Sequence, residues 1–258
     1  SMKRIELIGL PGSGKTHYTK KISSKKIFNV FPNIFNCFNH LRILEVPFKE
    51  ILSLYFLKIF SSTFFIETLD EKNSLIDRLK IFIKKKSLNV LINSIKDDEN
   101  FISYRYYKRL VNLSSHLSYR KNRMLDYFIV EFYLLLKINS NNIFIFDEGF
   151  FQKILLEFRD FKKNERKIFV FLEKYLKTCK KPDYIIFIKT KPKKCIERSN
   201  KRKIGYTYVE KDIKNNLKNW IKVSNFIEKY LKKRKIKNYK LNNFNKINYK
   251  LINQIKSL

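Results

Sequence analysis

Two spacings of apolar residues alternate along this chain. Short runs with little polar interruption stand at residues 3–8, 26–31, 142–146, 182–188 and 236–241. Runs of that length predict strands, and the unbroken ones predict strands covered on both faces, as in a parallel sheet. Between them the pattern is helical: residues 15–24, a segment from about Phe150, residues 165–180, a helix opened by Pro192, and residues 246–255 at the end. Asp212 is placed to cap a long amphipathic helix carrying Ile213, Leu217, Ile221 and Leu231. Strands alternating with helices predict an α/β fold, a parallel sheet with helices on both faces. Such sheets bind ligands beyond the carboxyl ends of their strands.

One interval breaks the alternation. Residues 33–140 hold few turn residues, and Pro47 interrupts the helical pattern once. Leu75, Leu79, Phe82 and Ile83 recur at helical spacing, as do Met124, Phe128, Phe132 and Leu135. The interval therefore predicts a large insertion of packed helices. Its run at residues 51–66 contains Lys58, is too short to span a bilayer comfortably, and reads as a buried helix.

Chemistry concentrates where the first strand ends. Gly9-Leu10-Pro11-Gly12-Ser13-Gly14-Lys15-Thr16 matches G-x-x-x-x-G-K-[ST] between a predicted strand and a predicted helix, the setting the phosphate-loop motif requires. Glycines let the backbone wrap a phosphate with its amides inward, and the helix adds its positive end. Gly12, Ser13, Gly14, Lys15 and Thr16 are the expected triphosphate-binding residues, with Lys15 on the β- and γ-phosphates and the Thr16 hydroxyl on Mg²⁺. The chain has only 5 glycines, and Gly9, Gly12 and Gly14 fall in this loop.

Two further constellations fit that loop. Asp147-Glu148 ends the apolar strand at residues 142–146; Asp147 is read as a Mg²⁺ ligand or as the base that takes an acceptor's proton, and helix capping is the plain alternative. Arg198 and Arg202 lie four positions apart, on one helix face, with guanidinium groups suited to phosphoryl oxygens.

Composition adds charge and compartment. With 56 Lys and Arg against 23 Asp and Glu, the net charge is +33, which fits a polyanion partner or compositional drift. Lysine, spread along the whole length in a chain rich in Asn, Ile and Phe, favours drift. Cys37, Cys179 and Cys195 show no metal-ligand spacing, and a cytoplasmic location without disulfides is expected.

The segments GLPGSGKT, IFIFDEG and PDYIIFIKTKPKKCIERSNKR together resemble the phosphate-loop kinase group that includes nucleoside monophosphate kinases and deoxynucleoside kinases. The resemblance implies a five-stranded parallel sheet, ATP·Mg²⁺ as donor, and Arg198 and Arg202 on a lid around residues 198–210 that touches the phosphates. It divides the chain into a nucleotide-binding core, residues 2–32 and 141–258, and a helical insertion, residues 33–140, that takes the acceptor. The group often has Asp-Arg or Glu-Arg where this chain has Asp147-Glu148, so the acceptor-gripping arginine is either missing or supplied from elsewhere. Glu148, Arg105, Arg109, Arg120 and Arg123 are the acceptor candidates, a solvated face being the alternative for the arginines.

The expected activity is transfer of the γ-phosphoryl of ATP to a small-molecule or nucleotide acceptor. A kinase or ATPase directed at nucleic acid, such as a 5′-end kinase, and a nucleotide-binding module without transfer chemistry are the other readings. A GTPase is disfavoured: no D-x-x-G follows Phe146, and Asn245-Lys246-Ile247-Asn248 lacks the aspartate that reads guanine.

Overall fold

A computed structural model describes residues 3–15, 17–19, 29–31, 46–59, 75–114, 118–137, 143–146, 149–157, 165–201 and 210–241. The strands are β1 (Lys3–Gly9), β2 (Asn29–Phe31), β3 (Ile143–Phe146), β4 (Tyr184–Ile188) and β5 (Asn238–Leu241). The helices are α1 (Phe48–Ile59), α2 (Leu75–Ile95), α3 (Ile102–Leu113), α4 (Ser118–Lys137), α5 (Phe150–Glu157), α6 (Glu165–Thr178), α7 (Pro192–Lys201) and α8 (Glu210–Lys233). They form two compact units: Ser1–Asn33 with Asn141–Glu165 and Lys181–Leu258, and Ile34–Ser140 with Arg166–Lys180.

The first unit holds one five-stranded sheet in the order β2-β3-β1-β4-β5, with every neighbour parallel. β1 lies between β3 and β4, pairing Ile5 with both Ile145 and Tyr184. Every residue of β4 is buried, as is β1 from Arg4 onward, so both faces of the centre are covered, as the unbroken apolar runs require. Arg4 and Glu6 are the exceptions to apolar content in β1. They share one face of the strand, and the Arg4 guanidinium lies 3.4 Å from the Glu6 carboxylate and 5.3 Å from the centre of the Phe150 ring.

Element ends depart from expectation for local reasons. β5 begins at Asn238, not residue 236, because the Ile236 amide still donates to Leu231 in the C-terminal cap of α8. Lys235 takes the left-handed position of that cap, φ 54°, in a chain poor in glycine. α8 begins at Glu210, so Asp212 lies inside its first turn instead of capping it. The expected helix at 246–255, the lid at 202–209, strand residues 26–28 and helix residues 20–24 lie outside the described residues.

The second unit is helical, and its core is aromatic. Phe128 and Phe132 of α4 are buried, as their spacing predicts. Tyr175 of α6 packs on Tyr107 and Phe128 at 5.8 and 6.3 Å, so most of α6 joins the inserted helices and not the sheet. The expected core segment at 141–258 is thereby interrupted. On α2 the buried face runs through Lys84, Ser87, Leu88, Leu91 and Ile95, while Leu79 and Phe82 of the expected stripe face outward. α1, expected to be wholly buried, turns Glu50, Ser53, Leu54 and Leu57 inward and leaves Phe48 77% exposed and Ile59 63% exposed. Helical spacing sets both faces at once: a core stripe at 50, 53, 54 and 57 puts 48, 52, 55 and 59 on the other side.

Buried charge in this unit is paired. Lys84 meets Asp126 at 2.8 Å, and Tyr133 donates to Glu50 at 2.6 Å. Burial and the nearby Glu50 hold the Tyr133 phenol protonated, as a donor. Tyr133→Phe leaves the Glu50 carboxylate without that donor and is expected to destabilise the fold by about 1–3 kcal/mol in chemical denaturation.

In the first unit Glu228 of α8 joins two strands, accepting from Lys189 at 2.8 Å and from Lys240. Partial burial opposes its ionisation, but these two lysines outweigh it and bring the carboxyl down to about 2 from 4.5. The folded value is depressed, so this stabilisation is complete above pH 4.5 and is lost as pH falls toward 2. Urea titrations across that window are expected to show a flatter stability profile for Glu228→Gln than for the wild type.

Candidate functional site

At Gly9 the chain leaves the centre of the sheet and must enter a helix at Lys15. The Ser13 amide donates to the Leu10 carbonyl at 2.9 Å, which closes the turn. Gly12, φ 74°, and Gly14, φ 94°, occupy the left-handed region where a Cβ is strained. Lys15 and residues 17–19 are helical, with the His17 and Tyr18 amides donating to Gly14 at 3.0 and 3.2 Å. The first turn of a helix leaves amides directed outward, so loop and helix bring donors and the positive dipole end to one place. The Lys15 ammonium donates to the Gly9 carbonyl at 3.2 Å.

The loop folds back onto the sheet. A Cβ on Gly9 would meet Ser13 Oγ at 2.5 Å and the Ile188 carbonyl at 3.1 Å. Ser13 is fully buried there, and its hydroxyl finds no hydrogen-bond partner among the described residues. Side chains reach the loop from two directions. Gln152 of α5 accepts from the Gly9 amide at 2.9 Å and donates to the Gly9 carbonyl at 3.1 Å. Thr190, two residues past β4, donates its hydroxyl to the Ser13 carbonyl at 3.0 Å.

A buried carboxylate anchors the turn after β3. Glu6 accepts from the Phe150 and Phe151 amides at 3.2 and 2.9 Å, capping α5 from the neighbouring strand. Burial pushes its carboxyl above the usual range, opposed by Arg4 and those two amides. Gly149 sits against the Glu6 side chain.

On α7, Cys195 is buried one turn before Arg198. Burial pushes its thiol up to about 11, while the positive charges of Arg198 and Lys15 pull the other way. Both cations thus act on one thiol.

Among the expected site residues, Gly12, Ser13, Gly14 and Lys15 form the loop, and Arg198 lies on α7, one turn after Cys195. Thr16, Asp147, Glu148 and Arg202 lie outside the described residues. Arg105, Arg109 and Arg123 belong to the helical unit: Arg105 and Arg109 are exposed on α3, Arg109 stacks on Phe171 at 5.2 Å, and Arg123 of α4 stacks on Tyr127 at 5.3 Å. The side chain of Arg120 lies outside the described residues. Among the described residues no group of three or more His, Cys, Asp or Glu could hold a metal ion, and no helix is long and apolar enough to cross a membrane. Glu6, Gln152 and Thr190 escaped the sequence reading. Glu6 had a visible signal, a carboxylate inside a strand expected to be buried; Gln152 and Thr190 had none.

No family model and no curated protein matches the chain. Solved structures of a deoxynucleoside kinase are similar to it in outline. Deoxyadenosine kinase from M. mycoides with bound dATP aligns over 98% of this chain and 99% of its own, at 14% identity and a TM-score of 0.43. The same kinase with the products dCMP and a flexible dCDP aligns over 99% and 100%, at 13% identity and 0.40. With bound dCTP it aligns over 99% and 100%, at 15% identity and 0.40. Identity and TM-score are low, and the site described above stands on its own residues.

Gly149→Ala tests the anchor. The new Cβ would lie 2.2 Å from Glu6 Cδ, and two backbone amides hold that carboxylate in place. Overpacking of this kind is expected to cost about 1–3 kcal/mol, read by chemical denaturation.

Proposed function

We propose that this chain is a phosphate-loop kinase that transfers the γ-phosphoryl of ATP to a small-molecule or nucleotide acceptor. The observation that carries the reading is the loop at the end of β1: two left-handed glycines, a helix start and the Lys15 ammonium meet there, in the middle of a parallel sheet. Converging amides, a dipole end and one flexible cation suit a polyphosphate better than any neutral ligand.

In this reading the backbone amides at residues 12–15 cradle the β-phosphate and Lys15 bridges to the γ-phosphate. Arg198, and Arg202 with it, meets the negative charge that spreads over the transferring group. An acceptor hydroxyl attacks the γ-phosphorus, the bond from that phosphorus to the β–γ bridging oxygen breaks, and ADP leaves. The acceptor's proton passes to the Asp147 carboxylate or, where Asp147 and Thr16 hold Mg²⁺, to solvent; Mg²⁺ there would supply further neutralisation of the phosphates. The net charge of +33 supports a second reading, a nucleic-acid end as acceptor.

The experiment is ATP consumption across a panel of nucleosides, small hydroxyl compounds and a 5′-hydroxyl oligonucleotide, with ATP affinity measured alongside. Lys15→Ala is expected to weaken ATP binding roughly 10- to 100-fold, the loss of a hydrogen bond between charged groups, and to abolish turnover. Equal ATP affinity in wild type and variant would overturn the reading. Turnover confined to the oligonucleotide, with a steep dependence on salt, would replace it with the second.

A further inference from the structure

The phosphate loop carries one pair of contacts that its motif does not explain. In β1, alternate residues bond to opposite neighbours. Arg4 bonds on the β4 side, donating its amide to the Asp183 carboxylate at 2.7 Å and accepting from the Asp183 amide at 2.8 Å. Gly9, an odd number of residues further on, therefore turns its amide and carbonyl toward the β3 side. The described pairing of β1 with β3 runs from Lys3 to Glu6, the partner of Phe146. At Gly9 a side chain stands where a strand's backbone would. The Gln152 carboxamide fills that place: one acceptor and one donor, as a peptide group would offer, at 2.9 and 3.1 Å, with the side chain fully buried.

On the other side, β4 ends at Ile188, the partner of Gly9, and Thr190 continues in its place by holding the Ser13 carbonyl. A trans peptide points its carbonyl and the following amide in opposite directions. Gripping the Gly9 carbonyl thus fixes the direction of the Leu10 amide, and gripping the Ser13 carbonyl fixes that of the Gly14 amide. The Ser13 tether thus acts on a donor of the 12–15 cradle, and the Gly9 tether on the peptide from which the loop starts.

We propose that Gln152 and Thr190 are positioning residues that clamp the phosphate loop from its two sides and preset its amides for a polyphosphate. The inference rests on the kinase reading for its ligand, but the clamp itself is measurable without one. Gln152 also shares the Gly9 carbonyl with Lys15, so it sets the point from which the ammonium moves.

The test uses the full chain with Gln152→Met and Thr190→Val, near-isosteric changes that remove the hydrogen bonds and keep the packing. Amide hydrogen exchange of the peptide spanning residues 7–18 is expected to speed up roughly tenfold or more in each variant, while β4 exchanges as in the wild type. Affinity for Mg²⁺–tripolyphosphate, which reads the loop without a base, is expected to fall by about the same factor when measured well below the variants' lowered melting temperature. Thr190→Ser, which keeps the hydroxyl, is expected to restore both. Should Gln152→Met not fold, Gln152→Glu serves: it keeps the acceptor for the Gly9 amide but sets a carboxylate against the Gly9 carbonyl, and tripolyphosphate affinity is expected to drop. Loop exchange and affinity like the wild type in folded Gln152 and Thr190 variants would overturn the clamp. A loosened loop in a chain whose wild type does not bind tripolyphosphate would uphold the clamp and overturn the kinase reading.

Discussion

The two hydrogen bonds between the Gln152 carboxamide and the backbone of Gly9 fix where the sheet stops and the loop starts. β1 is the central strand, and its described pairing with β3 stops at Glu6, three residues before Gly9. A buried amide and carbonyl left there without partners would each cost a desolvation penalty of about 1–3 kcal/mol. The start of β1 meets the same problem at Arg4, where the Asp183 carboxylate takes the amide. Side chains thus complete the ladder at both ends of the strand that carries the loop. Without them the most buried strand would end in unsatisfied groups, and the turn at Gly12 and Gly14 would begin from an unfixed point.

That division explains what the sequence discloses. β1 and β4 are legible because a strand covered on both faces needs an unbroken apolar run, a local property. The loop is legible because positive φ at Gly12 and Gly14 demands glycine in a chain that has few. Gln152 and Thr190 are not legible, because their partners lie 143 and 177 residues away and are backbone atoms, which leave no pattern in side-chain identity. In the helical unit, the periodicity showed that α2 and α4 are helices but mistook the inner face of α2. A lysine, Lys84, sits on that face, and its ion pair with Asp126 offsets the cost of such burial.

Charge follows the same rule of placement over amount. With 56 basic residues against 23 acidic ones, most cations lack a carboxylate of their own, and mutual repulsion works against compactness. Three carboxylates stand at junctions between elements: buried Glu6 between β1 and α5, buried Glu50 between α1 and α4, and partly buried Glu228 between α8, Lys189 just past β4 and Lys240 of β5. Glu6 and Glu50 join segments distant in the chain in buried contacts, unlike a surface pair of the kind worth little. A sequence-level count of charges therefore says less about this fold than the position of these few acids.

The position of Lys15 connects that economy of anions to the site. Its ammonium rests on the Gly9 carbonyl, a neutral dipole, and with Arg198 acts on a thiol whose pKa burial has raised to about 11. A thiol held neutral by burial contributes no counter-charge to the cations that act on it. Moving the ammonium from a carbonyl to a phosphate oxygen replaces a charge–dipole contact with a charge–charge one, roughly doubling the strength of the hydrogen bond. Gln152 keeps the Gly9 carbonyl bonded when the lysine leaves it, so the exchange does not strand a buried acceptor. A loop tethered at Gly9 and Ser13 makes that exchange without rebuilding its backbone, which is the condition under which fixed dipoles stabilise charge most effectively.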